Sequence, residues 1–432
     1  MSSIEEEKQY LANAEAAGLV SRLGAYVKLS GPGWLQSAIT LGGGSLASSL
    51  FLGVLAGYSL LWLQPVAIVL GVIMLCAISH VTLSTGQSPF VSINSEINPV
   101  LGWGWAIATI MANVVWCLPQ FSLGTAAVTQ NLLPSLDNTA GKVGICVALL
   151  VLASLVIWAY EKGNKGVKVF DWVLKIMVGL VVVSFLGVVI TMAISGEMEW
   201  GKIGRGFIPD LSLLSQPAEV YEPYLDKTGE FRTFWENKIV GTQRDVMIAA
   251  AATAVGINMT FFMPFVLLRR RWGREHRGLA KFDLWTALLI PYVVATSCVV
   301  IAAGSQFNGK PESAYENYAE KTLYSNLEKG FNDLVKARLE QETGKEAYAS
   351  LAPVQQDELY ANLPEANKQL AAMLVKRDAF NLAASLETLF QSKAFSHYVF
   401  GIGVVGMALS TIIILMTING HAVCEVLGKP HK

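Results

Sequence analysis

An apolar run from about Leu29 to Gly57 is long enough to cross a bilayer, and its middle reads Gly42-Gly43-Gly44-Ser45. No Asp, Glu, Lys or Arg occurs in it after Lys28. Glycine costs a helix interior about 1 kcal/mol relative to alanine, so three in succession predict a break. Loose backbone at membrane depth is tolerated only where it is buried in protein or lines a cavity. Transporters build solute sites from such discontinuous helices, usually one in each half of the chain. The run therefore points to a membrane carrier.

Composition agrees with that class and names no substrate. The chain is 53% hydrophobic and 15% charged, with a formal net charge of −1, so no bulk basic character suggests nucleic acid as a partner. Cys76, Cys117, Cys146, Cys298 and Cys424 lie singly in apolar stretches, a pattern of buried free thiols rather than of disulfides or a metal cluster. No Ser-His-Asp set, phosphate loop or HExxH helix is present, which speaks against an enzyme, and nothing calls for a cofactor.

A spanning helix needs about 20 mostly apolar residues. Eight segments qualify, near 31–57, 60–79, 101–128, 142–160, 170–195, 246–268, 284–305 and 397–420. Lys162, Lys165 and Lys168 fall between spans 4 and 5, and Arg269, Arg270, Arg271, Arg274, Arg277 and Lys281 between spans 6 and 7. The positive-inside rule then places the N-terminus in the cytoplasm, in a cell's inner (plasma) membrane. The expected organisation is a cytoplasmic segment 1–28, spans 1–7 over 29–305, an insertion at 306–394, and span 8 with a tail over 395–432. Two polar excursions face outside. Residues 196–245 read as irregular, with Gly204, Pro209, Pro217, Pro223 and Gly229 as turn formers. Residues 306–394 read as a helical cap, with Leu327, Phe331, Leu334 and Leu339 at roughly helical spacing.

Span 6 carries a second break signal, Gly256-Ile257-Asn258-Met259-Thr260-Phe261-Phe262-Met263-Pro264-Phe265. Proline removes a helical hydrogen bond, and Asn258 is costly in an apolar run without a partner. Unwinding is expected at 42–45 and 257–263, the two breaks facing each other near mid-membrane. Interrupted spans 1 and 6 are what a five-plus-five inverted repeat predicts: an all-α membrane protein of the LeuT-like bundle type.

Span 1 resembles that of the Nramp (natural resistance-associated macrophage protein) divalent-metal transporters without a gap, through Gly31-Pro32-Gly33, Gly53 and Gly57-Tyr58-Ser59-Leu60-Leu61-Trp62. Gly124-Thr125-Ala126, Gly204, Phe207, Pro209, Met263-Pro264, Gly406, Ser410-Thr411 and Gly420 are similar further on. The resemblance implies metal-ion transport by a symporter. It also implies at least two spans after span 8, so that a chain ending at Lys432 is expected to be truncated.

Departures from the family fall on the metal site. Where the family carries an Asp-Pro-Gly-Asn tetrad, this chain has Gly42-Gly43-Gly44-Ser45; where it carries Met-Pro-His, this chain has Met263-Pro264-Phe265. Acidic residues that the family links to proton movement align with Leu118 and Phe121. Met263 is then the only metal-gripping side chain left, and a neutral thioether is a poor ligand for a hard or borderline divalent ion. Thr40, Ser45, Asn258 and Thr260 could complete a weak oxygen site for a cation. Equally, N–H groups at Gly42–Gly44 could cradle a small organic anion or an amino-acid-like zwitterion. A channel, and a transport-dead scaffold or receptor acting through the cap, remain as further classes. Lys175, inside span 5, either snorkels to the interface or replaces a coupling ion near Ser410 and Thr411. Gln120, beside Pro119, either faces the cavity or packs between helices.

Overall fold

The computed structural model describes residues 4–161, 164–196, 198–311, 325–382 and 393–428, and the described residues contain helices and connections but no strand. Lys162 and parts of the 306–394 insertion lie outside them. Two short helices, α1 (Ile4–Ala16) and α2 (Leu19–Leu29), precede span 1, which is split into α3 (Pro32–Thr40) and α4 (Gly43–Ala56). There follow α5 (Leu63–Thr85), α6 (Pro89–Glu96), α7 (Pro99–Ala126), α8 (Thr139–Glu161), α9 (Asn164–Ile194), α10 (Trp200–Gly206) and α11 (Glu222–Leu225). Span 6 is formed by α12 (Arg232–Ala254) and α13 (Ile257–Arg269), and span 7 by α14 (Arg277–Asp283) and α15 (Leu289–Phe307), joined by a π-helical stretch at Leu284–Leu288. The insertion folds as α16 (Ser325–Thr343), α17 (Lys345–Ser350), α18 (Pro353–Asn362) and α19 (Glu365–Leu374), and α20 (Lys393–Val426) is the last span. Among the described residues, seven helices are long and apolar enough to cross a membrane, or eight if α3 and α4 count as one bent span.

The periodicity of α7 shows why these spans bundle. Gly102, Ala106, Thr109, Asn113, Cys117, Gln120 and Gly124 recur every three or four residues and are the buried ones. Small residues on such a face let helices approach closely. The α4–α15 contact is built the same way: a β-carbon on Gly53 would sit 2.8 Å from the Ala303 side chain and from the Gly304 backbone nitrogen. Spans α15 and α20 are enclosed, whereas α8 is peripheral and presents Val147, Val151, Leu155 and Trp158 outward.

Two ends of the bundle are distinct. At the basic end, Arg274 and Arg277 bond Ser84 at the end of α5, Arg269 donates to the Tyr160 carbonyl, and Arg270 pairs with Asp171. Asp283 there receives the Ser30 hydroxyl, the Gly31 N–H at 3.3 Å and the Gly33 N–H at 2.6 Å, and so caps the start of α3. At the opposite end, the Tyr221 hydroxyl donates to the Leu55 carbonyl at 2.9 Å and the Asn308 amide to that of Val54 at 3.1 Å. The insertion packs here, because the Trp235 N–H and the Arg338 Nε both donate to Asn367 Oδ1, at 2.7 and 3.0 Å. Leu327, Phe331 and Leu339 face inward from α16, as their spacing predicts.

Several boundaries differ from expectation. Part of the 196–245 excursion is regular, since α12 begins at Arg232 and runs into the bundle. The break in span 1 is at Leu41 and Gly42 only, and the helix resumes at Gly43 with a bend of 54°. In span 6 the extended residues are Val255 and Gly256, while 257–263, expected to unwind, is helical. Thr260 Oγ1 donates to the Ile257 carbonyl and Asn258 Oδ1 accepts the Met259 N–H, so these polar side chains satisfy the first turn instead of loosening it. Pro264 sits in the interior of α13 without ending it.

Candidate functional site

The two breaks meet. Thr40, at the end of α3, donates its hydroxyl to the Ala254 carbonyl at 3.2 Å, the last residue of α12. Ser45, in the first turn of α4, donates to the Thr40 carbonyl at 2.5 Å and lies 3.3 Å from that of Thr253. Carbonyls freed where a helix stops are costly in an apolar interior; here the Thr40 hydroxyl covers one at the span 6 break, and that of Ser45 covers one at its own.

Beside this crossing is a cavity of about 80 Å³, lined by the breaks and by spans 3 and 8. Gly42, Gly44, Ser45 and Ile39 contribute from span 1; Thr253, Gly256, Asn258 and Met259 from span 6; Trp116 and Gln120 from α7; and Thr411 and Leu415 from α20. None of its lining side chains is ionisable. It offers amide, hydroxyl and carbonyl oxygens and one thioether, a donor set that suits cations weakly and has no anionic ligand. Among the described residues no group of three or more His, Cys, Asp or Glu is placed to hold a metal ion.

The expected residues divide. Gly42, Gly44, Ser45 and Asn258 line the cavity, and Thr40 braces it. Gly43 is turned toward α7, its N–H donating to Gln120 Oε1 at 3.1 Å. Gln120 thus does both things considered for it, facing the cavity and bonding across helices. Thr260 is buried away from the lining. Met263 is fully buried, with its sulfur accepting from Gln36 Nε2 at 3.7 Å, and the methionine at the cavity is Met259, one turn earlier. The shift follows from the break lying at 255–256, which puts the first turn of α13, not its middle, against the cavity. Lys175 is not brought to Ser410 and Thr411. Its ammonium donates to the Ser30 carbonyl at 2.9 Å, whereas Ser410 and Thr411 hydroxyls reach the Ala38 carbonyl at 3.2 and 3.3 Å. Trp116, Thr253 and Met259 escaped the sequence reading because tryptophan, threonine and methionine in an apolar span are ordinary core residues; only the position of the breaks singles them out.

Comparison with known proteins places the fold. A sequence profile described as "Natural resistance-associated macrophage protein-like" matches residues 33–334. The divalent metal cation transporter MntH of Brucella suis biovar 1 is 24% identical over 194 residues, which are 44% of this chain and 39% of that protein. The metal transporter Nramp2 of Populus trichocarpa is 28% identical over 158 residues, 36% of this chain and 28% of that protein. The matched part of the chain therefore spans less than half the length of either relative. Crystal structures of the Eremococcus coleocola manganese transporter, one of them in complex with an aromatic bis-isothiourea substituted compound, superpose with TM-scores of 0.53 and 0.52 at 12% identity, over 94% of this chain and 73% of theirs. These share its all-helical, LeuT-like arrangement. The profile match over most of the chain, from the broken first span through span 7, makes it a member of the Nramp family.

Proposed function

We propose that this integral membrane protein is a secondary-active transporter whose cargo is a metal cation, held weakly at the crossing of spans 1 and 6. The observation that carries this reading is the cavity itself, where two helix breaks and the polar residues of spans 3 and 8 converge on one space with no fixed charge. Family membership supports a metal as cargo. The donor set supports low affinity, because a divalent ion there would trade hydration for neutral oxygens and the Met259 sulfur. The competing zwitterion reading relied on free N–H groups at the triplet, and that of Gly43 is already taken by Gln120. Arg269–Arg277 and Lys281 gathered at one end support a cytoplasmic N-terminus in a plasma membrane, with the 325–374 helices outside. Ser410 and Thr411 are proposed to support the bend of span 1 through Ala38 rather than to carry a coupling ion.

Purified protein in liposomes loaded with a metal-quenched dye tests this. Saturable manganese uptake, accelerated by manganese on the opposite side, is the expected result. Uptake without exchange acceleration indicates a channel, and no flux with any divalent metal indicates a scaffold. Calorimetry should find no micromolar manganese site; such a site, abolished by Met259→Ala, would contradict the weak-site reading.

A further inference from the structure

The helix before span 1 presents an apolar face that no described part of the chain covers. In α2, Leu19, Val20, Leu23 and Val27 are 61, 86, 39 and 65% exposed. At about 100° per residue these four fall within one arc roughly 100° wide. A second arc, Ala25 and Tyr26, is buried, with the Tyr26 ring 5.5 Å from that of Phe282. A third carries Ser21 and Lys28, both exposed. A helix between protein and water needs two faces; this one has three.

The level of α2 along the bundle identifies what meets the third face. Ser30, the residue after the helix, is bonded to Asp283 and to Lys175. Two residues beyond Asp283 is Trp285, 41% exposed, and three before Lys175 is Trp172, 68% exposed. Trp103 and Trp158, 44 and 58% exposed, stand at the same basic end on the neighbouring spans 3 and 4. Exposed tryptophans collected at one level of a spanning bundle mark the membrane–water boundary. The end of α2 is thus held at that boundary, beside spans 5 and 7, whose Ile176 and Ile290 are 40 and 53% exposed. Amphipathic helices with these properties lie in the interface, their apolar face sunk about 5–10 Å into the headgroup–acyl boundary.

We infer that α2 is an interfacial helix whose Leu19, Val20, Leu23 and Val27 dock into the phospholipid leaflet at the basic end, tethering the start of the broken first span to the bilayer.

The test uses the full chain in phosphatidylcholine vesicles, with a benzophenone amino acid at Leu23 or, in a separate preparation, at Ser21. Both positions are exposed, so neither probe disturbs packing. After irradiation, lipid adducts at Leu23 should exceed those at Ser21 at least fivefold by mass spectrometry. Equal lipid capture at the two positions, or a dominant adduct with a second copy of the chain, overturns the inference. Alkylation by a water-soluble maleimide gives an independent reading, with labelling of the unsubstituted chain subtracted. Val20→Cys should react at least tenfold more slowly than Ser21→Cys in vesicles. Comparable rates would place the helix in water.

Discussion

Gly43 and Gly42 look alike in the sequence and face different neighbours. A β-carbon at Gly43 would lie 2.6 Å from Leu123 Cδ2 and 3.0 Å from Gln120 Oε1, both ends of flexible side chains. Gly43→Leu should therefore insert only by displacing Gln120 from its bond to the Gly43 N–H, with an overpacking cost of about 1–3 kcal/mol. The expected outcome is lost uptake together with a lowered melting temperature; a stable protein transporting at the normal rate would refute it. A β-carbon at Gly42 would meet Thr411 Oγ1 at 2.6 Å. Restoring the family's carboxylate by Gly42→Asp should thus fail alone and succeed with Thr411→Ala, which removes the threonine contacts and leaves the Ile39 carbonyl, 3.0 Å away, to give by a few tenths of an ångström. Calorimetry on the pair should show manganese binding at least tenfold tighter than in the parent; no gain would mean the site lies elsewhere. The triplet was legible as a break because three glycines tolerate what few other residues do. Which glycine touches the cavity was not legible, since that depends on the rotation of α4 relative to α7.

Among elements, α3 is nine residues long and is fixed at its start by one carboxylate from span 7. Asp283→Ala would leave the Ser30 hydroxyl and the Gly31 and Gly33 N–H groups without that acceptor, and an orphaned buried donor costs about 1–3 kcal/mol. A melting temperature lowered by several degrees is expected, and an unchanged one would show that α3 is held mainly by packing. The amino-terminal α1 is attached by charge: Glu7 accepts the Trp272 N–H at 2.9 Å and lies 3.5 Å from His276, and Lys8 lies 2.8 Å from Glu275. Burial pushes the Glu7 carboxyl up, but the His276 and Trp272 contacts outweigh it and hold it below the ordinary value of 4.5. A carboxylate depressed in the folded state stabilises fully above its unfolded pKa, and that contribution is lost as pH falls through the folded value. Limited proteolysis should accordingly release α1 only below the ordinary carboxylate range, and Glu7→Gln should weaken this pH dependence, leaving the share of Glu275, whose carboxyl the Lys8 contact also holds down. The spans themselves were readable from apolar length. The span 6 break lies earlier than the sequence suggests because Asn258, Thr260 and Pro264 are helix-weakening by type, yet here the first two satisfy the first turn of α13 and Pro264 is accommodated in its interior.

For the whole molecule, the class was plain in the sequence: apolar runs of spanning length, basic loops and two interruptions five spans apart lead to a broken-helix bundle. The chemistry at its centre was half visible. The missing carboxylate and imidazole could be read directly, while Trp116, Thr253 and Met259 entered only through tertiary contact. Met259 is buried, so the test is Met259→Leu, which removes the sulfur but keeps the volume at a cost usually below about 1.5 kcal/mol; manganese uptake at fixed concentration should fall several-fold, and undiminished uptake would remove the thioether from the binding set.

A cavity without ionisable lining also bears on how the proposed carrier would respond to membrane voltage. Its unloaded form brings no compensating charge to the site, so a loaded crossing is charged by as much as the cargo itself. Moving one elementary charge through the full field is worth about 2.3 kcal/mol per 100 mV. A divalent cation would therefore make each loaded crossing electrogenic by two charges, and a potential imposed on liposomes with potassium and valinomycin should steepen manganese entry when the interior is negative. Voltage-independent entry would mean that a charge elsewhere in the protein, or a second ion, moves with the cargo.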